Sequence, residues 1–445
     1  MVTRLSDGLT PGDGSDPRTF PSIWNVTADT IESQGSAITA AESDIDTLQS
    51  DVTAAESDID ALEAKNIPSF GTATPSDGDV LTFDSGTSEY VPEAPAAGGG
   101  GAVNNLLYNG AMQVAQRGTS ETGITSDGYY TADRWNTFVN LGTYTQTVEA
   151  DGPTGSGFTK SLKLECTTSA SLTAGANVNV RQFLEGQDLQ ALKKGTSSAE
   201  SLNLSFWVKS NVTGTYRITL NDNDNSRQVG ATYSISASGT WEKKTILLPP
   251  DTTGALDNDN ANSLTVAFYL VAGTNLTSGA VPTAWEAFSV ADLAAGLDVS
   301  LAASTGNYWQ VTGVQLETGT VASGFDHKPF GVELAECQRY YFLIADQNGQ
   351  TISNAGAYNT TIAFGAIHPP VTMRNTPSLD VVTGSGYYSF PRNGGSDLVD
   401  DFSLNSSSPS VINIFNDSDI SSTAGHYGQF RMNNSSAYIA LDAEL

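Results

Sequence analysis

Leu202-Asn-Leu-Ser-Phe-Trp-Val-Lys209 alternates apolar and polar residues. The same period of two returns in Ser161-Leu-Lys-Leu-Glu-Cys166, Thr215-Tyr-Arg-Ile-Thr-Leu220 and Thr240-Trp-Glu-Lys-Lys-Thr-Ile-Leu-Leu248, and again in Leu264-Thr-Val-Ala-Phe-Tyr-Leu270 and Tyr308-Trp-Gln-Val-Thr-Gly-Val-Gln-Leu316. Successive side chains of a strand point to opposite faces, so each stretch can bury one row and wet the other. Short alternating strands separated by Gly, Asn and Asp turns predict a β-sandwich over residues 105–330. One helical piece is expected inside it, Asp188-Leu-Gln-Ala-Leu-Lys-Lys194, ended by Gly195. All six tryptophans lie before residue 310, and the composition changes after that point. Residues 331–445 open with a helical stretch, Glu333 to Tyr341, and continue in strand-like pieces: Thr361–Phe364, Leu379–Val382, Val411–Phe415 and Ala437–Leu441. A second, smaller and distal β domain is predicted there.

Upstream the period changes from two to seven. Ile31, Ile38, Ile45, Val52 and Ile59 recur at heptad spacing, followed three residues later by Gln34, Ala41, Leu48, Ala55 and Leu62. The octet Thr39–Asp46 repeats as Thr53–Asp60. This seam predicts a parallel coiled coil over 31–65, firm from about Ser36 because Gln34 and Gly35 weaken the first heptad. Its assembly would rest on Ile38, Ile45, Leu48, Val52, Ile59 and Leu62. β-Branched a positions with Leu at d lean toward two strands, so the seam alone does not specify a trimer. Glu42, Glu56 and Glu63 at e, with Asp44, Asp51 and Asp58 at g, would face like charges; salt, cations or fused domains must offset that repulsion.

Residues 1–30 are Gly/Pro/Asp-rich and end in an apolar cluster, Phe20, Ile23, Trp24 and Val26, which has no partner within its own segment. They read as a peptide that orders on a larger assembly. Residues 66–104 read as a linker with one hairpin, Val80–Phe83 against Glu89–Val91, followed by a hinge at Gly98–Gly101. Lys and Arg number 20 against 49 Asp and Glu, a net charge of −29. Phosphate backbones would be repelled, so nucleic acid is a poor partner. No apolar run is long enough for membrane insertion, and the first residues have no signal-peptide core. Two cysteines, Cys166 and Cys337, make neither a disulfide framework nor a zinc site.

Asn105-Leu-Leu-Tyr-Asn-Gly-Ala-Met-Gln-Val-Ala-Gln-Arg-Gly118 with Tyr130-Thr-Ala-Asp-Arg-Trp135 resembles the opening of distal domains in bacteriophage tail-fibre and receptor-binding proteins. Gln315–Thr320 with Phe325–Tyr341 is similar to their domain junction, and Pro369–Pro377 with Ala440–Leu445 to their C-terminal domain. The resemblance covers 105–445. Through Leu204–Lys209 and Trp241 the middle strands also resemble jelly-roll carbohydrate-binding modules of the family 4/9/22 type. Together these imply a fibrous homotrimer, mainly β, that is part of a virion and carries β-sandwich domains for host attachment. Its expected partners are tail or capsid proteins at the N-terminus and a host-surface glycan at the far end. A polysaccharide-cleaving tailspike is the alternative. Such enzymes typically rest on a long repetitive β-helix with clustered carboxylates, and neither that repeat nor such an acid pair is visible here.

Sugars are held by aromatic rings on their apolar faces and by amides and carboxylates on their hydroxyls. Tyr358, Tyr387, Tyr388 and Trp285 are the candidate ligand residues, placed in loops or at strand ends. Asp133-Arg134-Trp135 reads as a buried Asp–Arg pair beside a core Trp, and Gln116-Arg117-Gly118 as a structural turn. The oxygen-rich loops Asn221–Ser226 and Asp257–Asn262 allow a structural Ca²⁺ at Asp222 and Asp224, or an ordinary polar turn. No catalytic residue is expected: the three dispersed histidines have no nucleophile or metal set beside them.

Overall fold

The computed structural model describes residues 19–63, 69–70, 80–84, 89–93 and 105–445, with side chains for 30–59, 81, 89–91 and 105–445. The chain divides into two compact units, Met1–Ala94 and Pro95–Leu445. The side chains of Phe20, Ile23, Trp24, Val26 and Leu62, and the Gly98–Gly101 hinge, lie outside the described residues. Among the described residues no helix is long and apolar enough to cross a membrane.

In the first unit one helix runs from Thr19 to Glu63, 45 residues, or ~68 Å at the usual rise. It begins well before Ser36, and so takes in residues expected to form a separate peptide. Pro21 does not prevent this, because an N–H in the first turn has no helical acceptor to lose. Gly35 lies within the helix as well, at a cost of about 1 kcal/mol that its neighbours offset. The hydroxyls of Ser36, Thr39, Thr47 and Thr53 donate back to the carbonyl four residues earlier. Ile31, Ile38, Ile45, Leu48, Val52 and Ile59 are each between 53% and 69% exposed, so the heptad seam is uncovered along its length. The expected hairpin is present as Val80–Asp84 antiparallel to Glu89–Glu93. A short strand, Ser69–Phe70, lies parallel beside it.

The second unit holds two hydrophobic cores. The first lies between two antiparallel sheets. One has the strand order Glu242–Leu248, Leu202–Ser210, Tyr308–Thr318, Ser161–Thr168, Thr143–Glu149, Ser120–Ile124. The other runs Glu286–Ala287, Arg227–Ile235, Gly214–Asp222, Asn262–Ala272, Asn177–Glu185, Asn136–Val139, Gly128–Tyr129. Leu162, Leu164, Leu204, Phe206 and Val311 of the first sheet meet Val178, Val180, Ile218 and Phe268 of the second, all fully buried. The alternation therefore does what the period of two requires. The outer sides of the sheets are also partly covered. Gly313, at φ +60°, lets the Phe158 ring lie on the first sheet, where a β-carbon would fall 2.5 Å from that ring. Leu276 and Ala294 cover Ala267, Tyr269 and Ala272 on the second. The helical piece is a 3-10 helix, Gly186–Leu192, and it ends on Lys193 in the left-handed region, two residues before the expected Gly195.

The Asn105 motif closes this sandwich. Its side-chain amide donates to Val314 O at 2.8 Å and accepts from the Leu107 and Leu316 amides. After a helix, Phe330–Gln338, the second core is built by a three-stranded sheet and a seven-stranded one. The latter runs Gly395–Val399, Tyr388–Arg392, Tyr427–Met432, Thr351–Ala357, Ala363–Ile367, Val411–Asn416, Ser403–Ser408. Tyr388, Phe390, Phe430, Ile412 and Ile414 fill the space beneath it.

Buried charge joins the two cores. Arg134 is fully buried and pairs with Glu444, not with its neighbour Asp133. Asp133 instead accepts from the backbone N–H of Gln116 at 2.8 Å and from its side-chain amide. The adjacent Asp–Arg pair expected from sequence is thus two separate interactions: both residues sit in a turn, where Arg134 takes the left-handed region at φ +71°. Gln116 continues across the junction and donates to Tyr341 O at 2.7 Å. Arg339 makes a two-pronged contact with Glu185, at 3.1 and 2.7 Å.

Candidate functional site: an aromatic and amide sheet face

On the outer side of the seven-stranded C-terminal sheet a row of aromatic side chains meets solvent. Ile412 and Ile414 point inward, so Asn413 and Phe415 of the same strand point out. Ala363, Gly365 and Ile367 are buried, so Phe364 and Ala366 point out. The register then sets a row across four strands: Phe415 opposite Phe364, Phe364 opposite Gly356, Gly356 opposite Tyr427. Adjacent strands are ~4.8 Å apart, and the Phe364 and Phe415 rings sit 5.6 Å between centroids. Gly356 adds no side chain between Phe364 and Tyr427, and the Tyr427 ring lies over it. Tyr358 extends the row, edge-on to Phe364 at 5.8 Å. Asn359 holds the Tyr358 turn by accepting from the amides of Thr361 and Ile362, both at 2.8 Å. Tyr358 and Tyr427 are 73% and 81% exposed, values that core packing does not require.

A second row runs two residues further along, ~7 Å away. Asn405 faces Asn413, Asn413 faces Ala366, and Asn354 faces Gln429. Small Ala366 leaves a low point in this row. Aromatic faces next to amides offer apolar surface for the C–H face of a sugar ring and donors and acceptors for its hydroxyls. Both rows belong to a hydrogen-bonded sheet, so little ordering cost falls on binding.

Of the residues singled out from sequence, the structure places Tyr358 on this face. Tyr388 is overturned: it is fully buried, and its hydroxyl lies 2.8 Å from both Val382 O and Tyr438 O, which share its one proton. Burial pushes its phenol up from the usual tyrosine range. Tyr388 opens the strand Tyr388–Arg392 with its side chain inward, whereas Tyr387 precedes that strand in a bend. Tyr387 is half-buried and packs on Gly384. Trp285 belongs to the sandwich; its indole donates to Pro249 O at 2.9 Å and its ring lies 4.7 Å from Lys194 Nζ. Phe364, Phe415 and Tyr427 were not singled out, although the inward Ile412 and Ile414 already imply an outward Phe415.

The calcium expectation is overturned by a lysine. Lys194 Nζ reaches Asp222, and lies 2.8 Å from Asp251 Oδ2, at the position a cation would take. Asp224 is occupied as well, accepting the Asp257 N–H at 2.9 Å. Burial raises the Asp251 carboxyl, but Arg227 and Lys194 overcome that and hold it down to about 2. Among the described residues no group of three or more His, Cys, Asp or Glu could hold a metal ion. His327 packs on Phe158 and Phe325, at 5.0 and 4.8 Å. Cys166 and Cys337 are buried free thiols.

No protein-family model and no curated protein matches this chain. Solved structures do. The enzymatically active domain of bacteriophage CBA120 tailspike protein 4 is 15% identical with a TM-score of 0.26, over 48% of this chain and 21% of that one. This chain thus spans about a fifth of that domain's length. The family 11 carbohydrate-binding module of Clostridium thermocellum Lic26A-Cel5E is 12% identical with a TM-score of 0.25, over 50% of this chain and 99% of that one. The CBM22-1 xylan-binding domain of Paenibacillus barcinonensis Xyn10C is 12% identical with a TM-score of 0.23, again over 50% and 99%.

Proposed function

We propose that this chain is a subunit of a trimeric bacteriophage fibre that binds polysaccharide on the host cell surface. The single observation that carries the binding role is the outward row Phe415, Phe364, Tyr427 and Tyr358 beside Asn413, Asn354 and Gln429. The uncovered heptad seam supports self-association, since six large apolar side chains otherwise remain in water. The residue resemblance over 105–445 supports the virion, and three strands rather than two. In this reading the segment with Phe20, Ile23, Trp24 and Val26 docks on tail or capsid proteins, and the C-terminal sheet faces outward. Three copies of a weak sugar site on one fibre gain affinity through effective concentration. The fibre holds polysaccharide and does not cleave it.

The test is retention of purified host capsule and lipopolysaccharide on immobilised full-length protein, with reducing-end release measured in parallel. Retention without release, reduced in Tyr427→Ala, is the expected result. Release of reducing ends would overturn the non-enzymatic reading in favour of a depolymerase. Retention unchanged by Tyr427→Ala together with Phe364→Ala would overturn this face as the site.

A further inference from the structure

A second concavity lies where the sandwich meets the C-terminal sheets, away from the aromatic row. It encloses about 740 Å³, and its walls include Arg117, Glu121, Tyr130, Asp346, Asp380 and Tyr438. Arg117 is the one basic residue lining it, and its charge is spent: it pairs with Asp442 at 3.1 Å and Glu444 at 3.3 Å. Its guanidinium also lies on the Tyr341 ring, 3.5 Å from the centroid. Glu121, Asp346 and Asp380 form no ion pair with any described residue, so three carboxylates remain uncompensated. Asp380 is fixed in place. Its Oδ2 accepts from the Tyr341 hydroxyl at 3.1 Å and its Oδ1 from the Tyr438 hydroxyl at 2.9 Å. A carboxylate has about four lone-pair positions, so each oxygen still has one to offer.

We infer that this cleft is a second saccharide subsite that selects amine-bearing sugars over acidic ones. The choice of a sugar as occupant rests on the glycan-binding reading above; the site and its charge preference rest on the cleft itself. A sugar ammonium would gain a charge-assisted hydrogen bond to the preoriented Asp380, with Glu121 and Asp346 adding attraction. The Tyr130 and Tyr438 rings would take the apolar face of the ring. A uronate or sialate would meet the same three carboxylates as like charges.

The experiment is calorimetric titration of the full-length protein with glucosamine, N-acetylglucosamine and galacturonate oligomers of equal length, and with oligolysine. The glucosamine oligomer should bind most tightly and weaken with added salt. Glu121→Gln with Asp380→Asn should weaken it about tenfold or more, the worth of one hydrogen bond to a charged group. Glu121→Gln with Asp346→Asn, both at exposed positions, should also weaken it and guards against a folding defect at Asp380. Tyr427→Ala should leave the preference for glucosamine over its N-acetylated and acidic counterparts, and the salt dependence, unchanged. Equal binding of the free and N-acetylated oligomers, preference for galacturonate, or indifference to both double variants would overturn the inference. Oligolysine binding as tight as glucosamine would overturn the sugar in favour of a basic peptide. Loss of polysaccharide retention in Tyr427→Ala with cleft binding intact keeps the two sites, and the two readings, distinguishable.

Discussion

Phe364 and Phe415 are cross-strand neighbours on the solvent side of their sheet, with ring centroids 5.6 Å apart and interplanar angle 33°. A half-exposed aromatic pair of this kind contributes modestly to folding, so its removal separates binding from stability. Phe364→Ala and Tyr427→Ala should each lower polysaccharide retention several-fold, in line with roughly 0.5–1.5 kcal/mol per aromatic contact beyond its area. Their thermal midpoints should stay within a few degrees of wild type. Tyr388→Phe is the contrasting variant. It removes the hydroxyl shared by Val382 O and Tyr438 O, the latter keeping the Val382 N–H at 3.2 Å, costs about 1–3 kcal/mol of stability, and leaves retention intact at permissive temperature.

How much of this could be read from sequence depends on the range of the interaction. The sandwich strands were legible because alternation is local: Leu202, Leu204, Phe206 and Val208 are all inward. The hairpin at Val80–Glu93 was legible for the same reason. The binding face was half legible. Val411-Ile-Asn-Ile-Phe415 carries its own phase, whereas Tyr427-Gly-Gln-Phe-Arg-Met432 has too few apolar residues to show which row is buried. Tyr358 was found as a loop aromatic; Tyr388 was misplaced because a strand end need not present its side chain, and this one begins its strand with the side chain inward. What could not be read are contacts made by the fold alone. Arg134 and Glu444 are 310 positions apart, and no local pattern pairs them. Asp222 looked like a calcium ligand because its loop is rich in oxygen, and Lys194, which fills the cation position, lies on another element.

Lys194 is fully enclosed with Asp222 and Asp251, which makes the trio sensitive to loss of the ammonium. Lys194→Met should destabilise the sandwich by about 3–5 kcal/mol, since it leaves the buried Asp222 carboxylate without its cation while Asp251 keeps Arg227. Calcium should not raise the thermal midpoint of the wild-type protein, because the position is already occupied. The acid limb follows from Asp251, whose folded value is about 2, below the usual aspartate range. Its contribution is full above about pH 4 and is lost as pH falls through 2. Acid unfolding followed by tryptophan fluorescence would check both.

Asp133 has the opposite sign. Burial is the largest influence and raises its carboxyl to about 6, against the lowering effect of the Gln116 hydrogen bonds and Arg117. A raised folded value means the group favours folding when protonated. That contribution is complete below about pH 4 and disappears as pH rises through 6. The difference of about two units corresponds to roughly 3 kcal/mol. Asp133→Asn should therefore flatten the stability profile between pH 4 and 6, measured as denaturant midpoints at constant ionic strength. A profile that keeps its slope would show that other carboxylates carry it.

The helix Thr19–Glu63 leaves the last expectation open to a direct measurement. Its seam of Ile31, Ile38, Ile45, Leu48, Val52 and Ile59 is uncovered in one chain, and burying each such side chain is worth about 1.5–3 kcal/mol. Against this stand the acids beside the seam, Glu42 and Glu56 at e and Asp44, Asp51 and Asp58 at g, with no basic residue between Thr19 and Glu63. Their mutual repulsion acts over about 10 Å at 0.1 M salt and only about 3 Å at 1 M. The full-length protein should thus sediment as a trimer at moderate to high salt and shift toward monomer when salt is removed. Ile45→Asn with Val52→Asn places two polar groups in the seam and should give monomer at every salt concentration. The folded second unit should be retained, as judged by its tryptophan spectrum, because neither residue belongs to it. A wild-type monomer at high salt would remove both the coil and the fibre; a dimer would keep the coil, agree with its β-branched a positions, and remove the three-fold fibre.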